Sequence, residues 1–120
     1  ASPGQVLAAR QSVSRIRVSD RVKDYALDLI LATREPNRHG MEDLQPLIRA
    51  GASARAGAHL IKAARAHAAL RGCSQAHCDD IKAVAPDVLR HRVIVSRKAR
   101  VENVCSADIV QQILDRVPAP

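Results

Sequence analysis

The sequence predicts an all-α protein, a compact bundle of about five helices with room for at most one very short strand pair. Three observations carry that reading. Apolar residues recur at helical spacing in three separate stretches, around residues 22–33, 56–68 and 109–117. The 120 residues are 47% hydrophobic yet contain no Phe or Trp and one Tyr, so the core must be assembled from Leu, Ile, Val and many Ala, which suit close-packed helices. Residues that start and stop helices also stand at the ends of the periodic stretches.

Ser2-Pro3-Gly4-Gln5 combines a capping residue, Pro at the first helical position and Gln three residues after the cap, which predicts a short helix to about Val13. Arg15-Ile16-Arg17-Val18 alternates polar and apolar and reads as a brief extended connection. Ser19 caps a second helix in which Val22, Tyr25, Ala26, Leu29, Ile30 and Thr33 share one face, leaving Arg21, Lys23, Asp24 and Asp28 for solvent. Glu35-Pro36-Asn37-Arg38-His39-Gly40 breaks it, and Met41 to Ala50, with Pro46, reads as a loop with a helical turn.

Ser53 then caps a long central helix from Ala54 to about Arg71. Ala56, Leu60, Ile61, Ala64, His67 and Ala68 fall on one side and Arg55, His59, Lys62 and Arg65 on the other; Gly72 is its stop. His77-Cys78-Asp79-Asp80 opens a further helix with acids where the dipole favours them, and Pro86 is expected to divide it from a second turn through Val88 to Arg92. Val93-Ile94-Val95 is β-prone. Ser106-Ala107-Asp108 caps a last helix with Ile109, Val110, Ile113, Leu114 and Val117 inward, ending at Pro118.

A chain of this length supports one domain, residues 1–120, with a real core. Nineteen basic against twelve acidic residues give +7 and a pI near 10.2, which favours phosphates, nucleic acid or an acidic protein surface as partner. Cys73, Cys78 and Cys105 are odd in number and lack the spacing of a disulfide framework, so a cytoplasmic location is expected. No apolar run approaches the roughly 18 residues of a membrane span, and no signal-peptide pattern opens the chain. It begins at Ala1 rather than Met, which fits a fragment of a larger protein.

The sharpest local signal is Gly51-Ala52-Ser53-Ala54-Arg55-Ala56-Gly57. Arg55 falls in a first helical turn, where the macrodipole disfavours a cation by roughly 0.3–1 kcal/mol. The same turn exposes unpaired N–H groups that suit a phosphate, so arginine and helix N-terminus can hold one anion together. The bland alternative is a surface arginine on an Ala-rich helix.

With Lys62-Ala63-Ala64-Arg65-Ala66 and Val88-Leu89-Arg90-His91-Arg92, this segment resembles the C-terminal lid subdomain of MoxR-type AAA+ ATPases, relatives of the magnesium chelatase-like AAA+ ATPases, over about Val6 to Pro118. The resemblance implies that the chain is a lid closing over ATP and Mg2+ held by a large subdomain of the same protein. Arg55 is then the sensor-2 arginine, the catalytic residue, with Ser53 at the nucleotide and Lys62 and Arg65 as candidate further contacts. It also implies a hexameric ring, contacts with neighbouring protomers, and chaperone-like maturation of client complexes, often with partners carrying von Willebrand factor A domains. The family usually has Gly-Arg-x-Tyr-Val-Thr-Pro-x-Asp-Val where this chain has Cys73, Gln75, Ala76, His77 and Cys78 in place of the Arg, Tyr, Val, Thr and Pro.

Cys73, His77 and Cys78 suggest zinc only weakly, since structural zinc needs four ligands from paired segments; no metal is expected. The sequence has no Gly-x-x-x-x-Gly-Lys-Ser/Thr phosphate loop and no apolar strand ending in paired acids for magnesium, so this chain alone is not expected to hydrolyse ATP. One rival reading is an interaction module whose Ala-rich helices dock an acidic partner; the other is a basic helical nucleic-acid-binding module. The latter rests on the net charge, and is opposed by a single aromatic residue for base stacking and by charge spread over most of the chain.

Overall fold

The computed structural model describes residues 15–120. The expected helix from Ser2 to Val13 lies outside them. Five helices and four very short strands make up the described chain: β1 (Arg17–Val18), α1 (Asp20–Arg34), β2 (Ile48–Ala50), α2 (Ala54–Leu70), β3 (Gln75–Ala76), α3 (Cys78–Leu89), β4 (Ile94–Val95), α4 (Arg97–Val101) and α5 (Ser106–Arg116). Two 3-10 turns, Pro36–His39 and Glu42–Leu47, connect α1 to β2. The strands form two pairs rather than the single pair expected: β1 with β3 in parallel, and β2 with β4 antiparallel.

α1 begins as its sequence dictates. Ser19 is extended (φ −70°, ψ 161°) and its hydroxyl accepts the Val22 N–H at 3.4 Å, while Asp20 sits in the first turn. Val22, Tyr25, Ala26, Leu29, Ile30 and Thr33 are all buried. The helix ends before Pro36, whose ring disfavours a helical residue at Glu35.

α2 buries Ala56, Leu60, Ala64 and Ala68, a stripe at i, i+4, i+8 and i+12. Three of the four are alanines, so α3 can approach closely, with Ile81, Ala85 and Leu89 facing back at the same spacing. Gly72 turns the chain (φ 73°). Its N–H donates to Ala69 O and that of Cys73 to Ala68 O, both at 3.0 Å, the paired bonds of a Schellman stop.

Three boundaries differ from expectation. α3 runs through Pro86 to Leu89 instead of dividing there. Proline's fixed φ is itself helical and only one donor is lost, four residues along from the exposed Lys82, while Ala85 and Leu89 anchor both sides in the core. α4 has no apolar periodicity to announce it; Ser96 makes it, accepting the Ala99 N–H at 3.2 Å while its hydroxyl donates to Pro46 O at 2.6 Å. Ser106 is the first residue of α5 rather than its cap: its hydroxyl donates to Arg90 O at 2.6 Å, and Cys105 holds the cap position, its N–H donating to Asp108 at 3.1 Å.

Candidate anion site at the start of α2

Gly51-Ala52-Ser53 is fastened to the end of α1. Thr33 Oγ1 donates to Ile30 O at 2.6 Å and accepts the Ala52 N–H at 3.0 Å; Arg34 Nη1 donates to Ala52 O at 3.4 Å. A Cβ on Gly51 would stand 2.4 Å from Thr33 O and 2.7 Å from Arg34 Cα, so glycine is required by contact with backbone. Ala52 and Ala56 are buried on either side of exposed Ser53, Ala54 and Arg55. Two buried alanines thus fix where the first turn of α2 begins, and the exposed triplet faces outward.

Ser53 occupies the cap position (φ −84°, ψ 169°), but its side chain accepts no bond from the helix; the Ala56 N–H reaches the Ser53 backbone O at 2.9 Å instead. Among the described residues nothing accepts from the N–H groups of Ala54 and Arg55, and Arg55 has no ion-pair partner. A cation thus stands exposed at the positive end of a 17-residue helix beside unspent donors. That arrangement suits an anion bound jointly by both.

The other candidates spread along α2. Lys62 is exposed two turns on. Arg65, expected on the solvent side, is half-buried, and its Nε is shut off from solvent with no partner among the described residues. His59, one turn beyond Arg55, meets Arg92 with Nη2 and Nδ1 3.1 Å apart, which brings the turn after α3 onto the basic face of α2. Arg90 closes α3 and its Nε lies 3.1 Å from His91 Nε2. The contact between His59 and Arg92, 33 residues apart, had no sequence signal.

Behind this face lies a polar knot that sequence reasoning also missed. Asp80, fully buried, accepts from Arg71 Nε and Nη2 at 2.8 and 2.7 Å and from the His77 N–H at 2.8 Å, and its Oδ1 is 2.6 Å from His67 Nδ1. Burial alone would raise the carboxyl's pKa, but the bonds from Arg71, His67 and the His77 backbone outweigh it and hold it well below the usual carboxylate range. The spacing of His77 and Asp80, cap and third helical residue, was the available clue.

Cys73 and Cys78 are half-buried and His77 is exposed at the start of α3. Burial pushes the Cys78 thiol up, away from the thiolate a metal needs. Among the described residues no three His, Cys, Asp or Glu side chains converge as a metal-holding group, and no helix is long and apolar enough to cross a membrane.

Residues 41–113 match the AAA lid domain family. The chain is 32% identical over 119 residues to chaperone MoxR1 of Mycobacterium tuberculosis, covering 99% of this chain and 32% of that protein. It is 37% identical over 87 residues to protein MoxR of Paracoccus denitrificans, covering 69% and 26%. A crystal structure of a Cytophaga hutchinsonii protein, described provisionally as an ATPase, superposes with a TM-score of 0.89 at 32% identity, over 92% of this chain and 34% of that one. The chain therefore spans about a third of the length of the relatives it matches. A lid-family match across the Gly51–Ser53 turn and all the helices that follow it up to Ile113, together with that superposition, identifies the chain as an AAA lid domain of the MoxR type.

Proposed function

We propose that this domain closes over ATP and Mg2+ held by a large AAA+ subdomain of the same parent protein, and that Arg55 is its sensor-2 arginine. The observation that carries the proposal is an exposed arginine, without an ion-pair partner among the described residues, on an N-terminus of α2 that the Ser53 side chain leaves uncapped and that Gly51, Ala52 and Thr33 fix to α1. Closure brings that cation to the γ-phosphate, where it stabilises charge developing in phosphoryl transfer; opening withdraws it. Ser53 lies at the nucleotide beside the first-turn N–H groups. Lys62 and Arg65 extend the basic surface toward nucleotide or a neighbouring protomer of a ring.

The parent's work is proposed to be chaperone-like maturation of client complexes in the cytoplasm, with partners that include von Willebrand factor A domain proteins. The name of the Mycobacterium tuberculosis relative supports the chaperone part of that reading.

The test is Arg55→Ala in the full-length parent. The lost contact strengthens as the transition state forms, so turnover should fall by about tenfold to a hundredfold while ATP affinity changes less. The melting temperature of the isolated lid should hold or rise slightly, because a cation opposed to the helix dipole is gone. Unaltered turnover sinks the sensor role. Lost turnover with an unfolded lid makes Arg55 structural instead.

A further inference from the structure

Among the described residues β4 is paired on one side only. Ser96 donates its N–H to Leu47 O at 2.9 Å just beyond the Ile48–Val95 pair, so in this antiparallel ladder Ile48 and Val95 are a non-hydrogen-bonded pair. The N–H and C=O of Val95 therefore point away from β2. Among the described residues neither has a partner on that side. What lies there is a groove of about 580 Å³ between β4 and the segment that leads from α4 into α5, lined by Ile94, Val95, Arg100, Val104, Cys105 and Ser106 among others.

The groove has the attributes of a strand-binding cleft. Its wall carries Ile94, 48% exposed, and Val104; Val101, 77% exposed, adds apolar surface on α4. Its rim is basic on the α4 side, where Arg100 lines the groove and Arg97 and Lys98 share the same short helix, against Glu102 and the Asp108 carboxylate that accepts from Cys105. Arg97, Lys98 and Arg100 on α4 are all exposed. An open strand edge with apolar pockets recruits an extended chain through main-chain bonds, and surrounding charge selects which chain. A second copy of this protein, itself +7, is repelled.

We propose that the open edge of β4 docks an extended acidic segment of a partner protein, which adds as a third strand with alternate apolar side chains against Ile94 and Val104. The proposal is independent of the nucleotide reading and stands if Arg55 proves silent.

The experiment uses the 120-residue chain and a fluorescein-labelled peptide, DEVTVEVDE, with three comparisons: the same peptide N-methylated at alternate residues in each of the two registers, its Lys-for-acid counterpart, and the protein variants Arg100→Glu and, as charge-matched control on α1, Lys23→Glu. The peptide should bind at micromolar Kd and shift the Val95 amide resonance. Arg100→Glu should weaken binding at least about tenfold and Lys23→Glu by much less. The Lys-for-acid peptide should not bind, and N-methylation on the pairing edge should abolish binding. Equal binding by the Arg100→Glu protein or by both N-methylated registers overturns the proposal, as does absence of binding to folded protein or a footprint away from β4. If Arg100→Glu fails to fold, the N-methylated peptides still decide the matter on the unaltered chain.

Discussion

At Gly51 the sequence pays in glycine for a contact between two helices rather than for a turn. Its Cβ position is occupied by the backbone of Thr33 and Arg34, which cannot yield as a flexible side chain would. Gly51→Ala should therefore cost at least about 2 kcal/mol of stability, read as a lowered denaturation midpoint. Gly57, inside α2, is the opposite case: a methyl there meets Ile30 Cγ1 at an ordinary 3.7 Å. Gly57→Ala should gain roughly 0.5–1 kcal/mol from helix propensity. Equal responses to the two substitutions would mean that the loop is not pinned to α1. The Gly-Ala-Ser-x-Arg turn was legible because glycine, small residues and a charge at a helix start are local signals. That Ser53 leaves the helix uncapped was not, since its residue type gives no hint that the hydroxyl turns elsewhere.

The α2–α3 hairpin is the element that holds Arg55's helix in place, and Asp80 is its buried fastening. It joins Arg71 and His67 on one arm to the His77 backbone on the other. Removing the acceptor's charge by Asp80→Asn strands a guanidinium bond pattern inside the hairpin. A loss of roughly 2–4 kcal/mol at neutral pH is expected, at or below the deep-interior range because both basic partners remain partly in water. The pH dependence has a definite sign. Asp80's carboxyl titrates lower in the folded protein than in the unfolded chain, so its contribution is complete above about pH 4 and fades as acid approaches the folded value. Stability measured by denaturant from pH 5 to 2 should fall in the unaltered protein and fall less steeply in Asp80→Asn. Parallel curves would show that other carboxyls dominate. Periodicity made α1, α2 and α5 legible, and Gly72 announced its own stop. α4 was hidden because its Arg and Lys give no apolar repeat, and α3's length because a single proline was weighed without the core residues that flank it.

For the whole molecule, composition and helical periodicity together made the fold class legible: a core of Leu, Ile, Val and many Ala suits closely approaching helices, and the alanine stripe of α2 is how they approach. What composition could not convey is which distant residues meet. Pairs such as His59 with Arg92 or Asp43 with Arg116, 33 and 73 residues apart, follow only from the way the helices stack. The same limit applies to the proposed chemistry. This chain supplies an arginine and a helix N-terminus, whereas phosphoryl transfer also needs a phosphate loop and magnesium ligands, and the sequence contains neither motif. The 120-residue chain should therefore turn over no ATP and should bind it at millimolar Kd or weaker, about 4 kcal/mol of affinity at most, with amide shifts centred on Ala54 and Arg55 that vanish in Arg55→Ala. Nucleic acid should bind weakly and lose most of its affinity between low and physiological salt, because phosphate contacts are salt-sensitive and a chain with one Tyr and no Phe or Trp offers almost nothing for bases to stack on. Turnover that survives repurification would overturn the division of labour between lid and large subdomain. Sequence-selective, submicromolar nucleic-acid binding at physiological salt would mean that the basic surface, rather than Arg55, is where this domain acts.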